Sequence, residues 1–505
     1  MSLAILHSRA QLGTDAPPVT VEVFLSGGLP SFSVVGMAET AVRESKDRVR
    51  SALISSGFKF PQERITVSLG PADMRKGGGR FDLAIALGIL AASSRIPADS
   101  LQGVELYGEL ALDGGLRAVP AILVAAVHAK AAGHSMIVPQ ANGVEAAVTN
   151  ATARTAGSLL EVTAHCLGRT RLEPLQPVEL CVGAAVHPDL ADVRGQAHAR
   201  RALAIAAAGG HNLLFIGPPG TGKSMLARRM PGILPPMSEE EMLQTAAIDS
   251  LLGRPLDLTR WRRRPFRAPH HTASGPAIVG GGPAPVPGEI SRAHNGVLFL
   301  DELPEFNRNV LEVLREPLEA GSISIARASR QVEFAADFQL LAAMNPCPCG
   351  YLGDRQGDCN CSAERVVAYR SKISGPLIDR IDLHVEVSRP PKETLRASSP
   401  PGERSESVAV RVQKARVLQL ERAGVCNARL AGEALEEHCK LDEKSLAMLE
   451  AAVDRFRLSA RAYQRVRRVA RTIADLSATG TIAPTHIAEA LSLRQLDKRA
   501  TARGA

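Results

Sequence analysis

Residues 213–224, Leu-Leu-Phe-Ile-Gly-Pro-Pro-Gly-Thr-Gly-Lys-Ser, run an apolar segment straight into the pattern G-x-x-x-x-G-K-[ST]. The pattern demands a strand ending at Ile216, a glycine-rich loop, and a helix continuing through Met225-Leu-Ala-Arg-Arg-Met. The loop comprises Gly217, Pro218, Pro219, Gly220, Thr221, Gly222, Lys223 and Ser224. Its glycines let backbone N–H groups turn inward toward phosphates at the start of a helix. Lys223 is placed to reach the β- and γ-phosphates, and the Ser224 hydroxyl to ligate Mg²⁺. A chance glycine-rich turn would lack the strand before and the helix after. The segment therefore predicts a nucleoside triphosphate site.

Gly296-Val-Leu-Phe-Leu-Asp-Glu is a second apolar strand, ending in two carboxylates. Asp301 is expected to hold Mg²⁺ and Glu302 to act as general base toward the attacking water. Phe338-Gln-Leu-Leu-Ala-Ala-Met-Asn is a third such strand. Its terminal Asn345 suits a hydrogen bond to the γ-phosphate or the lytic water, the alternative being an Asn that opens the turn before Pro346. Ser374-Gly-Pro-Leu-Ile-Asp-Arg-Ile-Asp-Leu-His sets Arg380 beside a strand-like run, and Ser459-Ala-Arg offers Arg461. A guanidinium aimed at a neighbouring subunit's γ-phosphate stabilises transition-state charge. A structural ion pair is the alternative for each arginine.

At 505 residues the chain exceeds one ordinary core, so several domains are expected. Apolar content of 45% with 22% charged residues fits a globular protein, and a net charge of +8 permits a polyanionic partner without requiring one. Aromatics at 3% argue against base-stacking platforms. No apolar window reaches the length of about 18 residues needed for a membrane span. The N-terminus lacks a signal-peptide pattern and eight cysteines do not suggest a disulfide scaffold, so the cytoplasm is the expected compartment.

Residues 1–165 read as an α+β module. Strands are expected at Val19–Leu25 and Ile65–Leu69, helices at Glu39–Ser55 and Leu83–Ala92, and a hairpin at Asp113-Gly-Gly. Residues 166–190, with Pro174, Pro177 and Pro188, read as a linker. Strands and helices alternate over 191–395, which predicts a parallel α/β sheet. Residues 405–495 read as helical throughout.

Cys347-Pro-Cys349 and Cys359-Asn-Cys361 form C-x-C-x₉-C-x-C. Four thiolates on a turn-rich excursion can close tetrahedrally on Zn²⁺; four reduced thiols in a loop is the alternative. The remaining cysteines, Cys181 among them, read as ordinary small apolar residues. Arg254, Arg260, Arg262, Arg263, Arg264 and Arg267 crowd one segment ahead of His270-His271. That density suits phosphate contact, or a solvated or inter-subunit basic face. Arg75, Lys76 and Arg80 form a cationic loop for which backbone tracking and plain solvation are equal readings. The arginines of 455–471 suit inter-subunit contacts, and Gly280–Gly288 is a hairpin-like insert.

Together Asp192-Val-Arg-Gly-Gln, Gly217–Ser224, Pro269-His-His-Thr-Ala-Ser-Gly, Gly296–Glu302, Met344-Asn-Pro-Cys-Pro-Cys-Gly and Ser459–Leu476 resemble an AAA+ ATPase of the magnesium-chelatase-like clade. More closely, nearly the whole chain resembles the ComM/YifB group of competence proteins. The resemblance implies a multidomain α/β architecture: a Lon-protease-like, ribosomal-S5-like N-terminal α+β domain, an AAA+ parallel α/β core, and a C-terminal helical lid. It makes Asn345 sensor 1, Arg380 an arginine finger acting in trans and Arg461 sensor 2, in cis or in trans. Val193, Gly195 and Gln196 would lie beside the adenine, and the Gly280–Gly288 insert would face a ring's pore. It implies ATP and Mg²⁺ as cofactors, a hexameric ring, no membrane, and ATP-driven branch migration on DNA during natural transformation. A chelatase-type motor remodelling a partner protein is the alternative. An ATP-dependent protease is disfavoured, because Lys76 has no serine where a Lon nucleophile is expected.

Overall fold

The computed structural model describes residues 2–36, 42, 44–74, 76–178, 187–282, 285–327, 330–354, 357–391, 394, 401–494 and 496. The helix expected from Glu39 begins at Ser45 among these residues, and Arg75, Cys181 and 395–400 lie outside them. The chain forms two compact units. The first holds Met1–Val182 with two returning segments, Glu239–Trp261 and Ala326–Phe334; the second holds the remainder.

Alternating burial builds the sheet of the first unit. Along Pro18–Ser26, Val19, Val21, Val23 and Leu25 point inward, and along Arg64–Gly70 so do Ile65, Val67 and Leu69. The strands are β1 (Ser2–Arg9), β2 (Pro18–Ser26), β3 (Ser31–Val35), β4 (Arg64–Gly70), β5 (Val104–Leu106), β6 (Glu109–Leu110), β7 (Leu116–Arg117), β8 (Ser135–Pro139) and β9 (Ala153–Ala156). Seven of them pair in the order β3-β4-β2-β1-β5-β8-β9. The β2 pairings with β1 and β4 are antiparallel and the rest parallel. The expected hairpin is β6–β7, with Leu110 opposite Leu116. Helix α1 (Ser45–Ser55) buries one face, whereas α2 (Asp82–Ala92) is buried nearly all round and is apolar to match.

Part of the stretch expected to link the domains packs here. Leu175 N donates to Ala153 O at 2.9 Å, and Arg154 Nε donates to Leu172 O at 3.2 Å. The helix Glu239–Leu251 also belongs to this unit. Ser250 Oγ donates to Glu145 Oε2 at 2.5 Å, and burial pushes the Glu145 carboxyl up against these hydrogen bonds.

Two of the three cations expected in a loop prove to be interior. Lys76 is buried, its ammonium donating to Pro71 O, and Arg80 is buried with its guanidinium 5.6 Å from the Tyr107 ring centre. Burial pushes both groups down from their usual range. Neither side chain can track a nucleic-acid backbone, because each is committed to the unit's own carbonyl or ring.

The second unit is built on β10 (Leu213–Ile216), β11 (Phe266–Arg267), β14 (Val297–Leu300), β15 (Gln339–Met344) and β16 (Leu383–Glu386), with the small hairpin β12 (Gly280–Gly281) and β13 (Val286–Pro287) in the insert. The five strands pair in the order β11-β14-β15-β10-β16, all parallel. Every residue of β10, β14 and β15 is buried, as befits strands covered on both faces. Helices α3 (Ala197–Gly209), α4 (Lys223–Ala227), α5 (Arg315–Ala320), α6 (Ser405–Ala423), α7 (Glu443–Phe456), α8 (Ala460–Leu476) and α9 (Pro484–Ser492) surround it. Val412, Val466 and Ile473 join Ile205, Leu213 and Leu341 in one core, so the C-terminal helices are fused to the sheet. Leu341 is fully buried at its centre. Leu341→Ala should cost about 2–5 kcal/mol of stability, read as a lowered midpoint in chemical denaturation.

Candidate nucleotide-hydrolysis site

Ligands of open parallel α/β sheets bind beyond the carboxyl ends of the strands. Three neighbouring strands end here at the expected residues: β10 runs into Gly217, β14 into Asp301 and β15 into Asn345. The order β14-β15-β10 brings the three ends side by side. The loop turns into α4 through Gly222, whose φ of +93° a side chain would oppose.

Lys223 is buried, and its Nζ donates to Gly217 O at 2.7 Å, Pro218 O at 2.9 Å and Asn345 Oδ1 at 3.1 Å. Burial pushes the ammonium down while Asp301 and Glu302 oppose the shift. Ser224 Oγ donates to Asp301 Oδ2 at 2.5 Å, and the other carboxylate oxygen accepts from Glu302 N at 3.0 Å. Two facing hard oxygen donors suit Mg²⁺. Gln196 Nε2 donates to Thr221 O at 3.3 Å and Ser388 O at 2.6 Å, tying the segment that carries Val193 and Gly195 to the phosphate loop.

Glu302 adopts a left-handed φ of +53°, costly for a residue with a side chain and typical of over-determined functional positions. His271 Nδ1 lies 3.2 Å from Glu302 Oε2, and its ring packs against His270 and Phe306. The His pair offered no ligand spacing in the sequence. Its usable signal was position: it follows β11, which pairs directly with β14.

Arg380 sits at the opposite, amino edge of the sheet. Its carbonyl accepts from Asn212 Nδ2 at 3.0 Å, just before β10 begins. Asp382 accepts from Asn212 N at 2.9 Å and from Arg465. Burial alone would push its carboxyl up; Arg465 and His211 outweigh that and hold it well below the carboxylate range. The Arg380 guanidinium pairs with Glu319 on α5 and donates to Pro376 O at 2.7 Å. Arg461 approaches the same Glu319 oxygen at 3.6 Å. Both arginines line a cavity of about 290 Å³ with Arg465 and Arg468. Their hydrogen bond and charge hold the Glu319 carboxyl below its usual value.

Part of the other expected basic surface is committed inside the unit, while Arg254, Arg260, Arg262, Arg455 and Arg457 are exposed. Arg264 donates to Pro235 O and Asn295 O, each at 2.7 Å, and Arg267 pairs with Glu289 at 2.6 Å. Arg467 pairs with Glu436 at 2.8 Å and Arg471 with Asp475 at 3.0 Å. Arg467 and Arg471 are thereby committed within their own subunit, the first to Glu436 and the Cys439 carbonyl, the second to the buried Asp475 and the carbonyls of Thr479 and Gly480. Cys347, Cys349, Cys359 and Cys361 come together, with sulfurs within 4.8 Å of one another. Among the described residues no helix is long and apolar enough to cross a membrane.

Residues 189–395 match the family described as magnesium chelatase, subunit ChlI; residues 21–142 match subunit ChlI of Mg-chelatase, and 402–494 the ChlI C-terminal region. The chain is 49% identical over 504 residues to the competence protein ComM of Haemophilus influenzae, covering 98% of each. It is 48% identical over 500 residues to YifB of Escherichia coli, covering 99% of this chain and 98% of that one. It is 40% identical over 516 residues to Mb2921c of Mycobacterium bovis, covering 99% and 100%. A parallel sheet carrying a phosphate loop, together with these matches along nearly its whole length, makes the chain a member of the ComM/YifB family of magnesium-chelatase-like, AAA+-type ATPases.

Proposed function

We propose that the protein is a cytoplasmic ring ATPase, a hexamer, that moves on DNA and drives branch migration in recombination. The observation that carries the ring is the separation of the site's two halves. Lys223, Asp301, Glu302 and Asn345 lie at the carboxyl edge of the sheet, whereas Arg380 lies at the amino edge. Four residues of β10 at about 3.3 Å each put about 13 Å between those edges, which supports a role for Arg380 at a neighbour's nucleotide rather than its own. Arg461 shares Glu319 and the cavity with Arg380, which supports reading it toward the neighbour's nucleotide as well.

ATP and Mg²⁺ are the cofactors of this reading. Ser224 and Asp301 would hold Mg²⁺, which when bound neutralises charge on the phosphates. Lys223 meets the β- and γ-phosphates, Glu302 takes the proton of the attacking water, and Asn345 orients that water against the γ-phosphate. Arg380 and Arg461 from the next subunit stabilise charge developing on the transferred group. DNA as the substrate is supported by the likeness to a relative named a competence protein and by the net positive charge.

On this reading the 3.2 Å contact of His271 with Glu302 restrains the base until substrate arrives. His271→Ala should raise DNA-free turnover about fivefold or more, on the scale of an ordinary coupling energy, and narrow the gap to the DNA-bound rate. Steady-state ATPase with and without DNA reads both numbers.

The reading is tested by ATP turnover and gel shifts with branched and single-stranded DNA. It expects binding and stimulated turnover; turnover indifferent to DNA together with no gel shift overturns it. The three matches to magnesium-chelatase subunit ChlI favour a second reading, a motor that remodels a partner protein, which predicts that indifference.

A further inference from the structure

The excursion between Asn345 and the helix Ala363–Arg370 holds turns but no helix or strand among its described residues. Its four cysteines are all free and converge from both ends of that loop. The sulfur separations are 3.4 Å for Cys347–Cys349, 3.7 Å for Cys347–Cys359 and 3.6 Å for Cys349–Cys359. Zn–S bonds of about 2.3 Å in a tetrahedron put sulfurs about 3.8 Å apart, close to what is seen. Four thiolates leave no open position, which is the form of a structural zinc site.

The loop touches the nucleotide site at two points. Cys347 follows Asn345 by two residues, and Asn345 accepts from Lys223. Gly350 lies so close to Pro219 of the phosphate loop that a Cβ there would sit 2.8 Å from Pro219 Cδ. Arg370 closes the far end, its Nε and Nη2 donating to Pro346 O at 3.1 and 3.0 Å. A metal clip stabilises a loop of this kind by removing the freedom its short turns cannot restrain.

We propose that Cys347, Cys349, Cys359 and Cys361 bind one structural Zn²⁺, and that this ion holds Gly350 against Pro219 and Asn345 beside Lys223 so that hydrolysis depends on it. The dependence, though not the zinc site, rests on reading the adjacent site as an ATPase.

The test uses the full-length protein. Elemental analysis should find one zinc per chain, and the Cys359→Ser/Cys361→Ser double variant should lose it. Cobalt reconstitution of the wild type should give the intense visible bands of a tetrahedral thiolate site. Freshly purified wild-type protein that holds no zinc, with all four thiols titrating freely, overturns the site. Compared with the zinc-loaded wild type, the double variant or a chelated sample should turn over ATP about 10–100-fold more slowly, and zinc should restore the chelated sample. Unchanged turnover in zinc-free protein of native circular dichroism overturns the dependence. Zinc-loaded wild type without any ATPase activity would instead sink the reading of the nucleotide site and leave the metal count standing.

Discussion

Arg380→Ala should lower ATP turnover about 10³–10⁵-fold while leaving nucleotide affinity close to that of the parent. The guanidinium is buried and anchored at the amino edge of the sheet by its own Pro376 carbonyl and by Glu319. It touches nothing in its own phosphate loop, so on the proposed reading its removal takes charge only from the transition state of the neighbouring subunit. Complementation makes the expectation sharp. Arg380→Ala and Glu302→Gln subunits should each be inactive alone, yet regain turnover when mixed. An interface joining the intact Glu302 of one to the intact Arg380 of the other is competent. Fluorescent-nucleotide binding and steady-state turnover on the mixtures read the result. No recovery at any mixing ratio, in rings shown to exchange subunits, would place both groups in one subunit.

Glu302→Gln is the second large effect. The change keeps size and leaves Asp301, Ser224 and Lys223 untouched, but removes the base, so turnover should fall about 10²–10⁴-fold with ATP still bound. The backbone at 302 is left-handed whichever side chain it carries, so the variant gains no new strain there. Lys223→Ala should behave differently, because Lys223 joins the loop carbonyls to Asn345, and its loss should weaken binding as well as turnover. A Glu302→Gln protein that hydrolyses ATP normally would remove the assigned base.

The half of the site at the carboxyl edge was legible because each part is a local pattern. An apolar run reports a strand buried on both faces, and the first polar residue after it must stand at the strand's carboxyl end. Gly217, Asp301 and Asn345 all follow from that. Convergence of the four cysteines was likewise implied by spacing. Other features depend on what the chain meets after folding. For Lys76 and Arg80 backbone tracking and solvation are equal readings until the fold buries them against Pro71 O and Tyr107. Arg264, Arg267 and Arg467 read as surface, yet carbonyls and carboxylates distant in sequence claim them. Glu319, which gathers Arg380 and Arg461, carries no motif at all. The return of Glu239–Trp261 to the first unit has no local signal either, because a helix that packs against another unit looks like any amphipathic helix.

Branch migration on synthetic three- and four-stranded DNA, measured with ATP and with a slowly hydrolysed analogue, tests the whole account most directly. The account predicts strand displacement that requires ATP, is absent with the analogue, and is lost in the Glu302→Gln and Arg380→Ala proteins. A protein that hydrolyses ATP but displaces no strand from either substrate would contradict it.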